Sequence, residues 1–495
     1  MKNEDKNSSV QSAGQLARHT LVYGVGSALT AAGGLILLPL YTHALTPVEY
    51  GQLEILNRVA EVAILLAFVG TRQAFIRFYF EKDDEDWRRS TTASVMVFVL
   101  FTTFAVSGIG ATAIWVFGEK VEQAGLTTLT LYSLALWVPL EAMYSVSMTY
   151  LRVRLQSVFF IVLSAGRLVA FIVLNFVFLV LMDWGVAGVI GAQVIIVGLI
   201  ALYFVPFFLK WTRLEWSSTT IREMVEFGLP YLPSAALIYF VLNADRFFLG
   251  ALYSADDVGI FALGSKIGAV AIALFLAPIE MVWSPFVFST YKRSEGAVRI
   301  GDAFTVYTML SVLLAVGISL AGGTLIDVIA SEEFSSASSV VPILALGSVF
   351  YGMANLIDAG VLIAKKTRYK PLIFGTAALS GLIFHLLLTT TFGLIGAAWA
   401  TSLSLFVLFV VNYAVSQRFY RISLKRQNFV VIVVGGMVTY CVAGWLMGVR
   451  QSLVWELAVV AIAPLVFAAI FLSLGTYRWS DVRDLVSGIR LGKVS

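Results

Sequence analysis

The sequence has few charged residues and a single cysteine. Charged side chains make up 13% of its 495 residues, whereas a soluble domain carries roughly 25%. Because 59% of the residues are apolar, this low charge density excludes a soluble enzyme, a nucleic-acid-binding protein and a disordered chain. The lone Cys441 cannot form an internal disulfide. The class that remains is a polytopic membrane protein.

Sequence signatures of catalysis and of metal binding are absent as well. The sequence contains no glycine-rich loop ending in lysine, of the kind that ATPases use, so nucleotide hydrolysis by this chain is not expected. The three histidines, His19, His43 and His385, are scattered and form no metal-ligand cluster with Cys441. We therefore predict a protein that is not an enzyme and that binds no cofactor and no metal.

Apolar segments long enough to cross a bilayer occupy most of the chain. A transmembrane helix needs about 20 consecutive apolar residues. The segments here are continuous rather than alternating, which favours helices over a β-barrel. We predict an all-α polytopic membrane protein with fourteen transmembrane helices. The predicted spans are 20–42, 52–78, 91–117, 125–150, 157–182, 186–209, 225–252, 258–289, 303–329, 338–363, 371–391, 394–416, 429–448 and 453–474.

The lysines and arginines indicate the orientation of these spans. Of the 34 basic residues, 26 fall in alternate connections and in both termini, whereas the seven intervening connections contain only Lys120 and Arg450. Basic residues accumulate on the cytoplasmic side of membrane proteins. Both termini are therefore predicted to be cytoplasmic. The connections on the opposite side are short, and we expect no external domain.

Short sequence patterns recur at a nearly constant offset in the residue numbering. Trp184–Gly188 resembles Phe392–Gly396 and Leu45–Gly51 resembles Tyr253–Gly259, both at an offset of 208, and Leu134–Leu136 matches Leu344–Leu346 at an offset of 210. Two six-helix lobes related by a parallel pseudo-repeat, followed by two further helices, account for this pattern, which is typical of transporters with alternating access. The predicted segments are a cytoplasmic N-terminal segment 1–19, an N-lobe 20–210, a cytoplasmic linker 211–224, a C-lobe 225–416, the last two helices 429–474 and a cytoplasmic tail 475–495.

The second predicted span has a polar face at membrane depth. At about 100° per residue, one side of a continuous helix carries Glu54, Asn57, Arg58, Glu61 and Arg72. An arginine at the bilayer centre costs at least ~2.5–3.5 kcal/mol, so such residues line a bundle interior or a cavity. Neutralisation of Arg58 by Glu54 and Glu61 is one interpretation. Arg72 has no acidic partner at such spacing on its own helix, which favours a cavity lining.

Further ionisable residues lie within the predicted spans. Arg77 lies off the polar face and can reach the cytoplasmic surface. A structural ion pair is one interpretation for Asp245 and Arg246, and interhelical hydrogen bonding is one for Glu280 and Asp358. The candidates for coupling transport to an ion gradient are Glu141, Asp245, Glu280 and Asp358, and the additional candidate cavity cations are Arg167, Arg246 and Lys266.

Several motifs distributed over most of the chain carry a family resemblance. They are Tyr23-Gly24, Leu38–Thr42, Leu45–Gly51, Arg77–Glu81, Asp245–Gly250 and Val258–Phe261 followed by Lys266. Together they resemble the polysaccharide-export branch of the MOP flippase superfamily, which contains the Wzx-like oligosaccharide flippases. Such proteins move polyprenyl-pyrophosphate-linked oligosaccharide from the cytoplasmic to the outer leaflet. The resemblance implies a multi-pass flippase of the inner (plasma) membrane that acts as a monomer.

The resemblance also implies a cavity whose cations contact the diphosphate. Arginine suits this role because it forms bidentate hydrogen bonds with phosphate oxygens. The candidate substrate-binding residues are Asn57, Arg58, Glu61, Arg72, Arg77, Arg167, Arg246 and Lys266. Arg77, Arg246 and Lys266 lie within the motifs that carry the resemblance, whereas the others are chosen for their place on the polar face or within the spans. The implied partners are the lipid-linked oligosaccharide, membrane lipid, a polysaccharide polymerase and glycosyltransferases, and no nucleic acid is expected.

A cation-coupled multidrug exporter of the MATE type, from the same superfamily, is the main alternative. Such exporters commonly have a carboxylate in the first span, and residues 20–42 contain none. A membrane glycosyl polymerase or ligase would need a catalytic outer loop, for which the predicted connections are too short. A channel or a structural assembly subunit is a further alternative.

Overall fold

The computed structural model of the protein describes residues 33–122, 125–449 and 452–473. Within these ranges the chain is helical and contains no strand, so the predicted all-α polytopic fold is confirmed. The predicted N-terminal segment 1–19, the start of the first span and the tail 475–495 lie outside the described residues. The α-helices are α1 Leu38–Ala44, α2 Pro47–Phe68, α3 Thr71–Tyr79, α4 Glu85–Glu122, α5 Thr128–Val153, α6 Ser157–Phe176, α7 Gly185–Thr212, α8 Ser218–Gly228, α9 Tyr231–Leu252, α10 Ala255–Thr290, α11 Gly296–Ile329, α12 Val341–Ile357, α13 Ala359–Ile363, α14 Lys370–Phe384, α15 Thr390–Phe419, α16 Arg426–Val449 and α17 Leu453–Ser473.

The chain forms two compact units, unit 1 (Met1–Ala236) and unit 2 (Leu237–Ser495). In the described part, nine helical stretches are long and apolar enough to cross a membrane. One of them, Thr367–Phe419, contains the eleventh and twelfth predicted spans, and the backbone departs from helical geometry at Gly393 between them. The count of fourteen spans and the lobe boundaries drawn from the sequence therefore stay predictions.

The second predicted span is two helices, not one. Between α2 and α3, Val69 and Gly70 both adopt the left-handed region, with φ angles of 47° and 72°. A branched residue such as Val69 rarely adopts positive φ. Strain of this kind costs about 1–3 kcal/mol and persists only where the surrounding structure imposes it. The predicted continuous helix over 52–78 is therefore wrong, and the helical phase that placed Arg72 on the polar face of α2 is interrupted.

A backbone contact with α8 accompanies this break. Gly70 and Gly228 approach so closely that a Cβ on Gly228 would lie 2.7 Å from the carbonyl oxygen of Val69. Glycine at both positions permits this approach because neither residue has a Cβ. The contact holds α3 against α8, the last helix before the chain continues into α9 and unit 2.

The predicted duplication is visible in the local structure of each unit. Three features recur at the same offset as the sequence patterns: an N-cap hydroxyl, a π-helical turn and a glycine with positive φ. They occur at Thr46 and Ser254, at Val177–Leu181 and His385–Thr389, and at Gly185 and Gly393. A left-handed residue just after a helix end recurs at nearly this offset, at Leu155 and Lys365. The similarity in sequence therefore reflects a repeated structural unit.

A buried aromatic cluster in unit 1 fixes α3 against α5 and α7. Phe75 and Tyr79 belong to α3. They pack with Tyr150 of α5 and with Phe204 and Phe208 of α7. The rings of Phe75 and Tyr79, and those of Tyr150 and Phe208, meet edge to face with centroids 5.9 and 5.1 Å apart. Each such pair adds about 0.5–1.5 kcal/mol beyond area burial. The first pair lies within α3, and the second joins α5 to α7.

Candidate functional site

The charged residues of α2 form a compensated cluster. Nη1 of Arg58 donates a hydrogen bond to Glu61 over 2.7 Å, and Nη2 of Arg58 lies 3.6 Å from a carboxylate oxygen of Glu54. The preceding residue, Asn57, is half-buried, and its Oδ1 accepts no hydrogen bond from a described residue. The guanidinium of Arg58 is therefore paired with carboxylates of its own helix.

Arg72, on α3, is exposed and uncompensated. Its side chain makes no hydrogen bond, ion pair or ring contact with any residue that the structure describes. Because an uncompensated arginine at membrane depth is costly, a bound anion would stabilise it. Among the predicted site arginines of unit 1, Arg72 is thus the one for which the described residues provide neither a carboxylate nor a ring as partner.

Arg77 lies on α3 beside α8. Its guanidinium is 4.5 Å from the ring centroid of Phe227 and 6.0 Å from that of Phe78. A cation–π contact at an exposed site contributes about 0.5–1 kcal/mol. Arg77 thus helps to hold α8 against α3, and this contact engages the residue independently of any ligand.

Arg167 and Glu141 form a bidentate ion pair between α6 and α5. Nη1 and Nη2 of Arg167 donate to the two carboxylate oxygens of Glu141 over 2.9 and 2.8 Å. Nε1 of Trp137 donates to the same carboxylate over 3.0 Å, and the ring of Tyr144 lies 4.2 Å from the guanidinium. Fork-to-fork pairs of this type are among the stronger ionic contacts. Both Nη atoms of Arg167 are therefore engaged by Glu141 in this conformation.

Asp245 and Arg246 form the ion pair that the sequence suggests, within a buried network of unit 2. Nη1 of Arg246 donates to Oδ1 of Asp245 over 2.7 Å, and Nη2 donates to the hydroxyl of Ser265 over 2.5 Å. The hydroxyl of Thr401 donates to Oδ2 of Asp245 over 3.0 Å. Asp245 is only 1% exposed. The guanidinium of Arg246 thus compensates Asp245, and the network joins α9, α10 and α15.

The other predicted residues of unit 2 have separate surroundings. Asp358 is buried and lies 2.7 Å from Nζ of Lys370, so it forms an ion pair as well as an interhelical contact. Lys266 is half-buried on α10. The side chain of Glu280 lies outside the described residues. Within the part of the chain that the structure describes, no group of three or more histidine, cysteine, aspartate or glutamate side chains could hold a metal ion.

Arg152, at the end of α5, is a candidate that the sequence interpretation missed. The helix continues to Val153, beyond the predicted span 125–150, so Arg152 belongs to the helix and not to a loop. The side chain is half-buried, and its guanidinium lies 5.1 Å from the ring centroid of Phe160. The absence of a glycine or proline before Arg152 was the signal that could have placed it on the helix.

An apolar groove of about 310 Å³ lies between α16 and α17 in unit 2. Val442, Leu446 and Trp455 are among the residues that line it. Its lining has almost no polar surface, so the groove suits a hydrocarbon chain better than a polar ligand.

The fold is similar to the folds of several solved polytopic membrane proteins. It is similar to the lipid II flippase MurJ in an inward closed conformation, with a TM-score of 0.60 and 15% identity over 92% of this chain and 99% of that chain. An inward-facing multidrug resistance MATE family transporter of the MOP superfamily gives a TM-score of 0.62 and 16% identity over 79% and 94% of the two chains. The Vibrio cholerae MATE transporter VcmN gives 0.52 and 15% identity over 83% and 98%. At these identities the likeness establishes the fold alone.

The chain belongs to the family described as "Polysaccharide biosynthesis protein", whose sequence profile matches residues 42–339. No curated protein matches the chain. The chain is thus a member of a polysaccharide biosynthesis family, and its fold is similar to those of the lipid II flippase MurJ and of MATE transporters.

Proposed function

We propose that this protein is a flippase that moves polyprenyl-diphosphate-linked oligosaccharide across the cytoplasmic membrane by alternating access, for the synthesis of a cell-surface polysaccharide. Membership of a polysaccharide biosynthesis family supports the sugar cargo. The similarity in fold to a lipid II flippase supports a lipid-linked cargo. The apolar groove between α16 and α17 provides a surface on which the polyprenyl chain can lie while the head group crosses.

The observation that carries this proposal is the exposed, uncompensated guanidinium of Arg72. The other arginines predicted as site residues all have partners: carboxylates for Arg58, Arg167 and Arg246, and the ring of Phe227 for Arg77. Arg72 makes none of these contacts within the described residues. A diphosphate supplies the missing negative charge, together with oxygens in the geometry that a guanidinium binds in a bidentate manner.

The first test is glycan export in a strain that lacks the gene. Complementation with Arg72→Ala should leave surface glycan near the level of the deletion strain and should accumulate lipid-linked oligosaccharide. Loss of one charge-assisted contact, about 1.5–3 kcal/mol, corresponds to roughly 10- to 100-fold weaker binding. Normal glycan export by Arg72→Ala, at wild-type amounts of protein in the membrane, would contradict the proposal.

Arg222→Ala is the matched control for this test. Arg222 is exposed and pairs with Glu226, one turn away on α8, over 2.8 Å. An exposed pair of this kind contributes about 0–1 kcal/mol. The control removes one arginine and its positive charge from the same unit. Glycan export by Arg222→Ala should therefore remain at the wild-type level.

Export of organic cations is the second candidate function. A multidrug resistance MATE family transporter shares the fold, and α2 carries the carboxylates Glu54 and Glu61 beside Arg58. This function would make the deletion strain hypersensitive to cationic drugs while its glycan stays normal. Glu61→Gln should then weaken drug export, and Arg72→Ala should leave it unchanged.

A further inference from the structure

Basic residues are in large excess at the predicted cytoplasmic end of unit 2. The sequence contains no aspartate or glutamate between residues 359 and 455. Arg299 and Lys370 form ion pairs with Glu295 and Asp358. The exposed or half-buried basic residues of this end that form no ion pair with a carboxylate of a described residue are Lys292, Arg293, Lys365, Lys366, Arg368, Arg418 and Arg421.

Aromatic contacts join the three chain segments that carry these residues. The rings of Tyr369 and Phe419 lie 5.3 Å apart, so the connection after α13 lies against the end of α15. The hydroxyl of Tyr420 donates to the carbonyl oxygen of Tyr291 over 3.2 Å, so the chain after α15 lies against the connection after α10. The unpaired basic residues therefore belong to one surface, the basic surface of unit 2.

The corresponding end of unit 1 has acidic residues among its basic ones. At the offset of 208, Lys292 and Arg293 correspond to Asp84 and Glu85. Glu85 forms an ion pair with Arg154 over 3.1 Å. Both ends are predicted to face the cytoplasm, where basic residues generally accumulate. Because unit 1 meets this general preference with its charges largely paired, the preference does not explain the excess in unit 2.

The position of the basic surface along the helices favours a lipid partner. The apolar stretch Thr367–Phe419 begins and ends at this surface, and the ends of such a stretch lie at the level of the lipid head groups. Tyr291, Tyr369 and Tyr420 lie among the basic residues, and tyrosine is enriched at this level. The connections are short, so their charges stay closer to the head groups than to a protein beyond the bilayer.

We infer that the basic surface of unit 2 binds the head groups of anionic phospholipids in the adjacent leaflet. Each lysine or arginine near a membrane surface adds to the attraction for anionic lipid. Guanidinium and ammonium groups also donate charge-assisted hydrogen bonds to phosphate oxygens. The inference is independent of the proposed function, because it concerns the surrounding bilayer and not the transported molecule.

The test is lipid binding by the purified full-length protein in detergent, measured by native mass spectrometry. The probes are dioleoyl phosphatidylglycerol, which is anionic, and dioleoyl phosphatidylcholine, which carries no net charge. The wild type should bind phosphatidylglycerol more tightly. The double variant Arg418→Gln with Arg421→Gln should weaken this binding at least about tenfold and leave phosphatidylcholine binding unchanged. Lys365→Gln with Arg368→Gln, on a separate connection, should have the same effect.

Lys210→Gln with Arg213→Gln is the matched control. These exposed residues of unit 1 correspond to Arg418 and Arg421 at the offset of 208. The control removes the same number of charges, and its phosphatidylglycerol binding should stay near the wild-type value. All three double variants should unfold at the wild-type temperature in detergent without lipid, which shows that they are folded.

Equal affinity of the wild type for the two lipids would overturn the inference. An equal loss in the control variant would overturn it as well, because the attraction would then depend on net charge and not on this surface. A third outcome also contradicts it: the unit 2 variants keep phosphatidylglycerol binding but lose binding of a polyglutamate peptide. The basic surface would then be one for an acidic protein.

Discussion

Replacing Gly228 by alanine should destabilise the junction between α3 and α8. A Cβ at this position would lie 2.7 Å from the carbonyl oxygen of Val69, 2.7 Å from the carbonyl carbon of Gly70 and 2.9 Å from its oxygen. All three atoms belong to the backbone, so no side-chain rotation relieves the overlap, and real Cβ contacts shorter than 3.0 Å are essentially never seen. The backbone must move by several tenths of an ångström. Overpacking of this kind costs about 1–3 kcal/mol.

The assay is thermal unfolding of the purified protein in detergent, followed by tryptophan fluorescence. Gly166→Ala on α6 is the matched control, because a Cβ there meets nothing within 4 Å, and alanine in a helix interior is favoured over glycine by roughly 0.5–1 kcal/mol. Gly228→Ala should lower the unfolding midpoint, whereas Gly166→Ala should leave it unchanged or raise it. A midpoint for Gly228→Ala at or above that of the wild type would refute the close contact. Since α3 carries Arg72, glycan export by Gly228→Ala should also fall.

Two further predictions concern the buried ion pairs, with thermal unfolding as the measurement. Glu141→Gln and Arg167→Ala should each destabilise the protein by about 1–3 kcal/mol, because each leaves a partner unsatisfied. The double variant should lose less stability than the sum of the two single losses. Strictly additive losses would mean that the pair does not form. Thr401→Val removes a hydroxyl that donates to Asp245 and should also cost about 1–3 kcal/mol, whereas Thr112→Val, at an exposed position, should have no measurable effect.

The fold class could be predicted from the sequence because bilayer thickness sets the length of apolar segments. The duplication was visible for a similar reason, since turns with special backbone geometry restrict residue type. Gly185 and Gly393, which correspond in the repeat, both have positive φ. The break at Val69 and Gly70 was missed because the reason for it lies elsewhere in the chain. Helical periodicity describes one segment, whereas the backbone that packs against this break belongs to Gly228, in a distant part of the sequence.

The pairing of charges was predictable only within one helix. Arg58 lies four residues after Glu54 and three before Glu61, and both contacts form as helical spacing predicts. Glu141 and Arg167, in contrast, belong to adjacent helices, and their contact depends on the packing of α5 against α6. The sequence therefore identified ionisable groups within the predicted spans without showing which of them compensate each other.

A comparison of corresponding positions in the two units shows which charged residues occur in both units and which occur in only one. Arg58 in unit 1 corresponds to Lys266 in unit 2 at the offset of 208, so both units have a basic residue at this position. Asp245 and Arg246 correspond instead to Leu37 and Leu38, which are 2% and 1% exposed. Unit 1 therefore buries two leucines at the positions where unit 2 buries an ion pair.

Burial of an ion pair costs several kcal/mol of desolvation free energy per ion, which the attraction between the two ions offsets. The apolar pair found in unit 1 would thus be the less costly solution, and the ion pair of Asp245 and Arg246 is a coupling candidate on this ground.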